Sequence, residues 1–333
     1  MSSDAYGRAG VSQRAADNAV EALVRSLRAI DTGRPSRVVA LPGHYASVLK
    51  LDDQTGLALS TDTVGTKMIV AERLGRYDTI GIDCVAMNVN DVICVGASPI
   101  AMLDFILTER ADPDVCGQLG VGLARGAELA GIEIPGGEIA QLGDIVSGTE
   151  LGGTCVGLVA LDRLITGTRI EPGDPIIGLP SSGLHSNGYT LARWALDRIP
   201  LDDARLGRRL GDVLLEPTEI YVRPVLKLLD SPVEVRGLAH ITGDGLANLL
   251  RLRAEVGYEI DDPLPVPPIF ALIQELGDVS DEEMHEVFNM GCGFCCVVAP
   301  HDEEAALELL RDSYPGAQRI GRVMDQAGEV RRR

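Results

Sequence analysis

The sequence predicts an α/β protein of the α+β type, made of two mixed α/β domains. Short runs rich in β-branched residues alternate with apolar residues at helical spacing along the whole chain. The alternation is interrupted once, by the polar segment 163–174, which contains glycine and proline. The 333 residues are enough for two hydrophobic cores. We therefore predict an N-terminal domain at residues 1–168 and a C-terminal α/β sandwich domain at residues 169–333.

The first predicted element is an amphipathic helix over residues 13–30, with Ser12 as its N-cap. Strands are predicted where β-rich runs stand between glycine, proline and aspartate turns, at residues 38–41, 45–51, 57–60, 99–107 and 152–162. The apolar segment 85–91 reads as helical, and a helix over 113–130 ends at Gly131. These elements make one compact unit.

The second domain repeats the alternation. Strands are predicted at residues 176–179, 258–260, 293–298 and 317–323. Helices are predicted at residues 187–198, 219–229, 246–253, 268–276, 282–287 and 303–310. Pro224 lies inside one of these helices, so we expect either a kink or a helix start at that residue.

The composition excludes several kinds of partner. The chain has 30 basic and 49 acidic residues and a formal charge of −19, so nucleic acid and anionic membranes are poor partners. No apolar stretch reaches the roughly 20 residues of a membrane span, and no secretory signal is found, so we expect a cytoplasmic protein. The seven cysteines, at 84, 94, 116, 155, 292, 295 and 296, suit reduced, buried thiols.

A strand, a tight turn and a helix start are predicted in the segment STDTVGTK at 60–67. Gly65 and Thr66 open the helix, Lys67 follows them, and Asp62 precedes them. Such a junction gathers backbone N–H groups and the positive end of a helix dipole, which suits phosphate and a metal ion. The alternative is that Asp62 simply caps the helix.

Two other acidic positions suit a metal ion. Asn90 and Asp91 close the segment 85–91, and Glu138 follows Gly136 and Gly137. Mg²⁺ takes oxygen ligands and keeps phosphate oxygens in its shell, so carboxylates from separate segments fit it. The alternatives are a solvated charge for Asp91 and an ordinary turn for Glu138.

Two loops of the second half carry histidines. In SSGLHSNGY at 181–189, Ser182, Ser186 and Asn187 place hydroxyl and amide groups around His185. In AHITGDGL at 239–246, His240 precedes a glycine-rich turn. A solvated histidine is the alternative for both. Cys292 and Cys295 form a C-x-x-C without further zinc ligands nearby, and we interpret them as buried thiols.

These motifs together resemble those of the aminoimidazole ribonucleotide synthetases, which are the phosphoribosylformylglycinamidine cyclo-ligases of purine biosynthesis. Besides STDTVGTK, where that family usually has TDGVGTK, the resemblance is carried by YDTIGIDCVAMNVND, GGE, SSGLHSNGY, EPTEIYVRPVL, AHITGDGL and FNMGCG. The motifs stand in the family's order and cover most of the chain.

The resemblance implies an ATP-dependent ring closure. ATP phosphorylates the formyl oxygen of formylglycinamidine ribonucleotide, the amidine nitrogen attacks the same carbon, and phosphate leaves. It also implies a homodimer joined through the N-terminal sheets, which helps to form the ATP sites.

The resemblance assigns roles to residues as follows. Metal binding falls to Asp62, Asp91 and Glu138. ATP and Mg²⁺ are expected at Asp62, Gly65, Thr66, Lys67, Asp83, Asn90, Asp91, Gly137 and Glu138. The ribonucleotide is expected at Ser182, His185, Ser186, Asn187, Thr242 and Gly243, with Lys67, His185 and His240 as catalytic residues. We expect Lys67→Ala and Asp91→Asn each to abolish turnover and leave the fold intact.

Besides Thr63 in the turn, the sequence departs from the family pattern at three places: only Gly43 remains of a glycine-rich stretch, IAQLGD stands for TAEMPG, and Asp244 replaces a glycine. Two alternatives therefore stay open. One is a paralogue that phosphorylates another small amide, carboxylate or phosphate ester, as the related thiamine monophosphate kinases do. The other is a nucleotide-binding regulatory protein without catalysis.

Overall fold

The computed structural model describes residues 13–27, 29–252 and 255–333. Two six-stranded sheets lie within these ranges, one in each half of the chain, and their order is β1-β2-β3-β6-β4-β5 and β12-β9-β11-β7-β10-β8. The two mixed α/β units predicted from the sequence are thereby confirmed. Ser12, predicted as the first N-cap, lies outside the described residues, and the domain division at residue 168 stays a prediction.

The first sheet is antiparallel except for its β4–β5 pair. Its strands are β1 (Val38–Val39), β2 (Ser47–Lys50), β3 (Thr55–Thr63), β4 (Ser98–Thr108), β5 (Glu133–Gln141) and β6 (Thr149–Ala160). Its helices are α1 (Gln13–Leu27), α2 (Met68–Leu74), α3 (Ile80–Cys94) and α4 (Pro113–Ala130). A 3₁₀ turn, Gly65–Lys67, leads into α2.

Helix α3 is the centre of the first half, because nearly all of its residues are buried. It packs on β3 and β6 and crosses α4 at very short range. A Cβ atom at Gly81 would lie 2.0 Å from the backbone nitrogen of Leu123, and one at Gly122 would lie 2.7 Å from that of Gly81. Only glycine permits this approach, which fixes the position of every polar side chain on α3.

The second half has strands β7 (Pro175–Pro180), β8 (Val235–His240), β9 (Gly257–Ile260), β10 (Cys292–Val298), β11 (Gln318–Met324) and β12 (Val330–Arg332). Its helices are α5 (Tyr189–Ala195), α6 (Leu210–Leu214), α7 (Val222–Leu229), α8 (Pro268–Gly277), α9 (Asp281–Val287) and α10 (Glu303–Arg311). Pro224 lies in the first turn of α7, where its missing N–H is harmless, so it marks a helix start and no kink.

Three local features differ from the sequence analysis. The GGE motif lies inside strand β5, where Gly137 pairs with Asp104 of β4 in a parallel ladder, so the ordinary turn considered as the alternative at Glu138 is wrong. The helix predicted at 246–253 is a 3₁₀ segment, Gly245–Arg251. Strand β12 was not predicted, since its three residues, VRR, carry no apolar alternation.

The seven cysteines are free thiols, and all but Cys116 are buried, as expected. The sulfur atoms of Cys292 and Cys295 lie 3.5 Å apart. None of the described helices is long and apolar enough to cross a membrane.

Candidate active site

Helix α3 presents one row of polar side chains to the second half of the chain. Asp83 Oδ1 accepts hydrogen bonds from the backbone N–H and the hydroxyl of Thr218, at 2.7 and 2.6 Å. Two turns further along α3, Asn90 donates to the Glu219 carbonyl at 2.8 Å and accepts from the Tyr221 N–H at 3.0 Å. Both predicted cofactor ligands therefore fasten the segment 216–221, and their contact with a nucleotide stays a prediction.

Lys67 connects the same two halves. Its fully buried Nζ donates to Asp83 Oδ1 at 2.9 Å, to the His185 carbonyl at 3.0 Å and to the Glu216 carbonyl at 2.7 Å. Burial lowers the pKa of this amine, and the Asp83 carboxylate opposes that shift. An ammonium has three N–H donors, and all three are used here. The geometry gives Lys67 a cross-linking role, and its predicted contact with phosphate stays a prediction.

A second row on α3 faces the first sheet and strand β8. Asp91 Oδ1 lies 2.9 Å from Nδ1 of the fully buried His240. Asn88 donates to the Cys84 carbonyl at 2.9 Å and to the Asp62 carbonyl at 3.4 Å. This row, together with Asp62 at the end of β3, forms a polar cluster between the two halves.

Burial raises the pKa of Asp62 to about 6. The charges of Asp91 and Glu150 act in the same direction, while the Thr63 N–H and His240 oppose it. Two carboxylates near each other in a dehydrated place repel each other, and a cation would relieve that repulsion. The environment of Asp62 thus suits a bound cation.

Two buried atoms of the cluster have no hydrogen-bond partner among the described residues: Asn88 Oδ1 and His240 Nε2. A buried polar atom without a partner is unfavourable by about 1–3 kcal/mol, so such atoms commonly mark ligand sites. With Nδ1–H held by Asp91, Nε2 of His240 is a proton acceptor. The pair can therefore receive a proton from a ligand.

Strand register decides which acids share a face of the first sheet. Asp62 pairs with Gly153, Gly153 with Asp104, and Asp104 with Gly137. Paired residues point to the same face and neighbours along a strand to opposite faces. Asp62 and Asp104 therefore share the inner face, whereas Glu138 points from the outer face and is exposed.

The structure thus brings Asp62 and Asp91 together but places Glu138 elsewhere in the single chain. No group of three acidic, histidine or cysteine side chains able to hold a metal ion is found within the described ranges. Mg²⁺ commonly takes only one or two carboxylates and completes its shell with phosphate and water. Asp104 was missed from the sequence, although a lone acid inside an apolar strand was a usable signal; burial raises its pKa.

The turn at 65–67 contacts a residue of β6, Glu150, that sequence reasoning missed. Gly65, at φ 71°, donates its N–H to Glu150 Oε1 at 2.8 Å. Burial raises the pKa of Glu150. Next to it, the hydroxyls of Thr66 and Thr190 lie 3.2 Å apart and join the two halves. A phosphate at this turn would have to replace the Glu150 carboxylate.

The loop that was predicted to bind substrate is held by one internal hydrogen bond and by contacts with the segment around Thr218 and with Met87. Ser182 donates its hydroxyl to the Pro217 carbonyl at 2.6 Å and its N–H to His185 Nε2 at 3.3 Å. Ser186 pairs with the Thr218 hydroxyl at 3.0 Å, and the Asn187 amide lies 4.0 Å from the Met87 sulfur. The loop is therefore preorganised against the segment that Asp83 also holds.

His185 is buried and has a left-handed backbone, with φ 61°. Burial, and then the nearby His240 and Lys67, hold its pKa well below the ordinary value, so the ring is neutral at physiological pH. Its Nδ1 is buried without a partner among the described residues. A neutral ring with one unused nitrogen can exchange a hydrogen bond with a ligand.

The second glycine-rich loop is also preorganised. Asn248 accepts the Thr242 N–H at 2.7 Å and donates to the Gly243 carbonyl at 3.1 Å. Asp244, which departs from the family pattern, lies 3.7 Å from the Arg251 guanidinium. That cation offsets the added negative charge.

Comparison with known proteins gives a consistent result. The family model for the N-terminal domain of AIR synthase related proteins matches residues 43–159 of this chain. The family model for the C-terminal domain matches residues 171–332. A phosphoribosylformylglycinamidine cyclo-ligase of Methanothermobacter thermautotrophicus is 47% identical, over 98% of this chain and 96% of its own length. The phosphoribosylformylglycinamidine cyclo-ligase of Pyrococcus horikoshii is 45% identical, over 98% of this chain and 97% of its own length.

Solved structures share the fold at low identity. AaThiL complexed with AMPPCP and TMP superposes with a TM-score of 0.64 at 17% identity, covering 93% of this chain and 91% of that one. The hydrogenase maturation protein HypE in complex with ATP superposes with a TM-score of 0.60 at 20% identity, covering 85% and 83%. These likenesses establish the two-domain architecture.

Proposed function

Because the chain belongs to the AIR synthase related family, we propose that it is an ATP-dependent phosphoribosylformylglycinamidine cyclo-ligase of purine biosynthesis. The observation that carries the proposal is the 47% identity to a cyclo-ligase over 98% of the chain. In this reaction the formamide oxygen takes the γ-phosphoryl group of ATP. The amidine nitrogen then bonds to the same carbon, the C–O bond breaks, and phosphate leaves with the former formyl oxygen.

The alternatives considered from the sequence are not favoured. Identity to AaThiL is 17%, whereas identity to the cyclo-ligases of M. thermautotrophicus and P. horikoshii is 47% and 45%. A regulatory protein without catalysis would have no need for the aligned Asp91–His240 pair or for buried acceptor atoms beside it. The geometry therefore fits an enzyme better than a binding subunit.

Asp62 and Asp91 are the side chains that would hold Mg²⁺ with ATP, and Asp104 shares the face of Asp62. The raised pKa of Asp62 and the unpartnered Asn88 oxygen fit a cation and its ligands. When bound, Mg²⁺ offsets the negative charge of the phosphates during transfer.

The Asp91–His240 pair can manage the proton of ring closure. Asp91 holds the imidazole with Nε2 as acceptor, and Nε2 can take the proton that the attacking amidine nitrogen loses. His185 stays neutral and can orient the substrate through Nδ1. Lys67, held by Asp83, binds the His185 carbonyl and so keeps the loop of His185 against the first half, which carries Asp91.

Glu138 has a place in this proposal if the protein is a homodimer. The outer face of the first sheet, to which Glu138 points, also exposes Leu103 and Leu158, at 53% and 39% of their surface. A dimer joined through this face would bury those leucines and turn Glu138 toward the partner subunit. Analytical ultracentrifugation tests the dimer, and a monomer at micromolar concentration would contradict it.

The decisive experiment incubates the full-length protein with MgATP and formylglycinamidine ribonucleotide. We expect ADP, phosphate and aminoimidazole ribonucleotide in equal amounts, with no ADP when the ribonucleotide is omitted. ATP binding without turnover would support the regulatory alternative, and phosphorylation of thiamine monophosphate in place of ring closure would support the kinase. The cytoplasmic location stays a prediction.

A further inference from the structure

A cavity of about 730 Å³ lies between the two halves, next to the turn at 65–67. The first half contributes Thr66 and Arg73 to its lining, and the second half contributes Thr190, Arg193, Trp194 and Arg198. Thr190 stands at the start of α5, directly after the loop predicted to hold the substrate. The cavity therefore opens where a ligand of that loop would extend.

The lining of this cavity is cationic although the chain as a whole carries a formal charge of −19. Three arginines face one acid, Asp197, which lies 4.0 Å from Arg73 and is itself mostly exposed. Burial lowers the pKa of Arg193, and the positive charge of Arg73 lowers it further. Positive charges gathered in this way repel each other, and an anion bound between them would reverse the sign of that energy.

Arg193 also has an unused donor. Its Nε is buried and has no hydrogen-bond partner in the described part of the chain. A guanidinium offers several N–H donors in a planar fork that matches the oxygens of a phosphate group. The hydroxyls of Thr66 and Thr190 lie 3.2 Å apart and hydrogen-bond to each other, so one O–H of the pair remains free to donate to an anion.

This cavity, with Arg73, Arg193 and Arg198 in its lining, is called the arginine cleft. We propose that the arginine cleft binds the 5′-phosphate of the ribonucleotide substrate, an inference that rests on the proposed function. A triphosphate is the other source of such chemistry, but it calls for a metal ion held by carboxylates, and those lie in the Asp62–Asp91 cluster. The cleft has arginines and hydroxyls with a single acid, which suits a phosphate monoester bound without metal. Its position sets the sugar-phosphate end of the substrate apart from the reacting end.

The test measures binding of ribose 5-phosphate, and of ribose, to the full-length protein by calorimetry. We expect ribose 5-phosphate to bind and ribose not to bind. Arg193→Met should weaken ribose 5-phosphate binding roughly 10-fold or more, since charge-assisted hydrogen bonds are lost, and Arg193→Lys should weaken it less. Arg125→Met is the matched control, because Arg125 is exposed on α4, where it pairs with Glu128.

Nucleotide binding is the second arm. The affinity for Mg²⁺ with a non-hydrolysable ATP analogue should stay within about twofold in Arg193→Met and Arg73→Met. In turnover, the KM for the ribonucleotide should rise while kcat and the KM for ATP change little. Weakened nucleotide binding with intact ribose 5-phosphate binding would overturn the proposal and assign the cleft to ATP.

The outcomes also separate this inference from the proposed function. A protein that closes the ring, but binds ribose 5-phosphate equally well with Arg193→Met and Arg73→Met, overturns the cleft alone. A protein that does not close the ring, yet loses ribose 5-phosphate binding in these variants, supports a sugar-phosphate cleft and refutes the cyclo-ligase. Circular dichroism of each variant confirms that the fold is kept.

Discussion

Helix α3 carries two rows of polar side chains that differ in how fully their hydrogen bonds are used. Asp83 and Asn90 are engaged by Lys67, Thr218, Glu219 and Tyr221. On the other side, Asn88 Oδ1 and the His240 Nε2 that Asp91 orients are buried without partners. The first row joins the two halves, and the second row is prepared for a ligand. Residue type alone does not separate the two roles, because each row contains one aspartate and one asparagine.

The second row, Asn88 and Asp91, is called the ligand row below. The largest effect on turnover is expected from a substitution in this row. Asp91→Asn removes a charge that suits Mg²⁺ and presents His240 with a side chain that no longer fixes its tautomer. Turnover should fall about 10³-fold, the range of an acid–base contribution, while the melting temperature changes little. Steady-state kinetics measures turnover and calorimetry measures the melting temperature, with Arg125→Met as the control. Near wild-type turnover in Asp91→Asn would show that Asp91 is not part of the site.

The first row, Asp83 and Asn90, joins the two halves, so a substitution at its partner Lys67 should change stability. Lys67→Met leaves the Asp83 carboxylate buried without its cation, which should lower the free energy of unfolding by about 3–5 kcal/mol. The earlier expectation of an intact fold in Lys67→Ala is therefore revised. Denaturant unfolding measures the loss, and the double variant Lys67→Met/Asp83→Leu should recover part of it. Unchanged stability in Lys67→Met would contradict the cross-linking role.

The comparison extends to His44, whose Nε2 is also buried without a partner in the described chain. Burial and the charge of Arg251 lower the pKa of His44 to about 4. The unfolded chain therefore binds a proton that the folded chain refuses between pH 6.5 and 4. Stability should be full above pH 6.5 and fall as the pH drops, by on the order of 3 kcal/mol at pH 4.

His44→Gln checks that prediction, because the variant cannot titrate in this range. The difference in free energy of unfolding between the wild-type protein and the variant, measured from pH 7 to pH 4, isolates this one group. A pH-independent difference would mean that folding leaves the pKa of His44 unchanged, and it would contradict the prediction.

The smallest effect is expected at Asp104, and it tests whether this residue belongs to the same site as the ligand row. Asp104→Asn should raise the Mg²⁺ concentration needed for half-maximal turnover about 10-fold, since Asp104 shares the inner face with Asp62. Titrating Mg²⁺ at saturating ATP measures it, with Asp114→Asn, an exposed acid in the first turn of α4, as the control. An unchanged Mg²⁺ dependence would place Asp104 outside the site.

The fold followed from the sequence where periodicity was strong. Strands at 99–107 and 152–162 and the helix at 113–130 match β4, β6 and α4 within a few residues. Strand β5 was not predicted, and Gly136 and Gly137 left an ordinary turn as the alternative there. Gly137 serves a different purpose, since a Cβ there would lie 2.3 Å from Asp104 Oδ1.

The site was predictable in part. The sequence motifs selected Asp62, Asp91 and His240, and the structure places them in one cluster. The place of Glu138 depends on strand register, where one residue changes the face, and motif matching carries no such information. Burial was likewise not visible for Lys67, whose three donors are used inside the protein.

The three bonds of Lys67 constrain how the molecule can move. Its ammonium group belongs to the first half, but two of its acceptors, the carbonyls of His185 and Glu216, belong to the second. If the halves moved apart at this point, the buried Lys67 ammonium would lose two of its three hydrogen-bond acceptors. A wide hinge motion there is therefore unfavourable. We therefore expect metabolites to enter and leave through a passage that is already open, with the guanidinium-lined mouth beside Thr66 as its gateway.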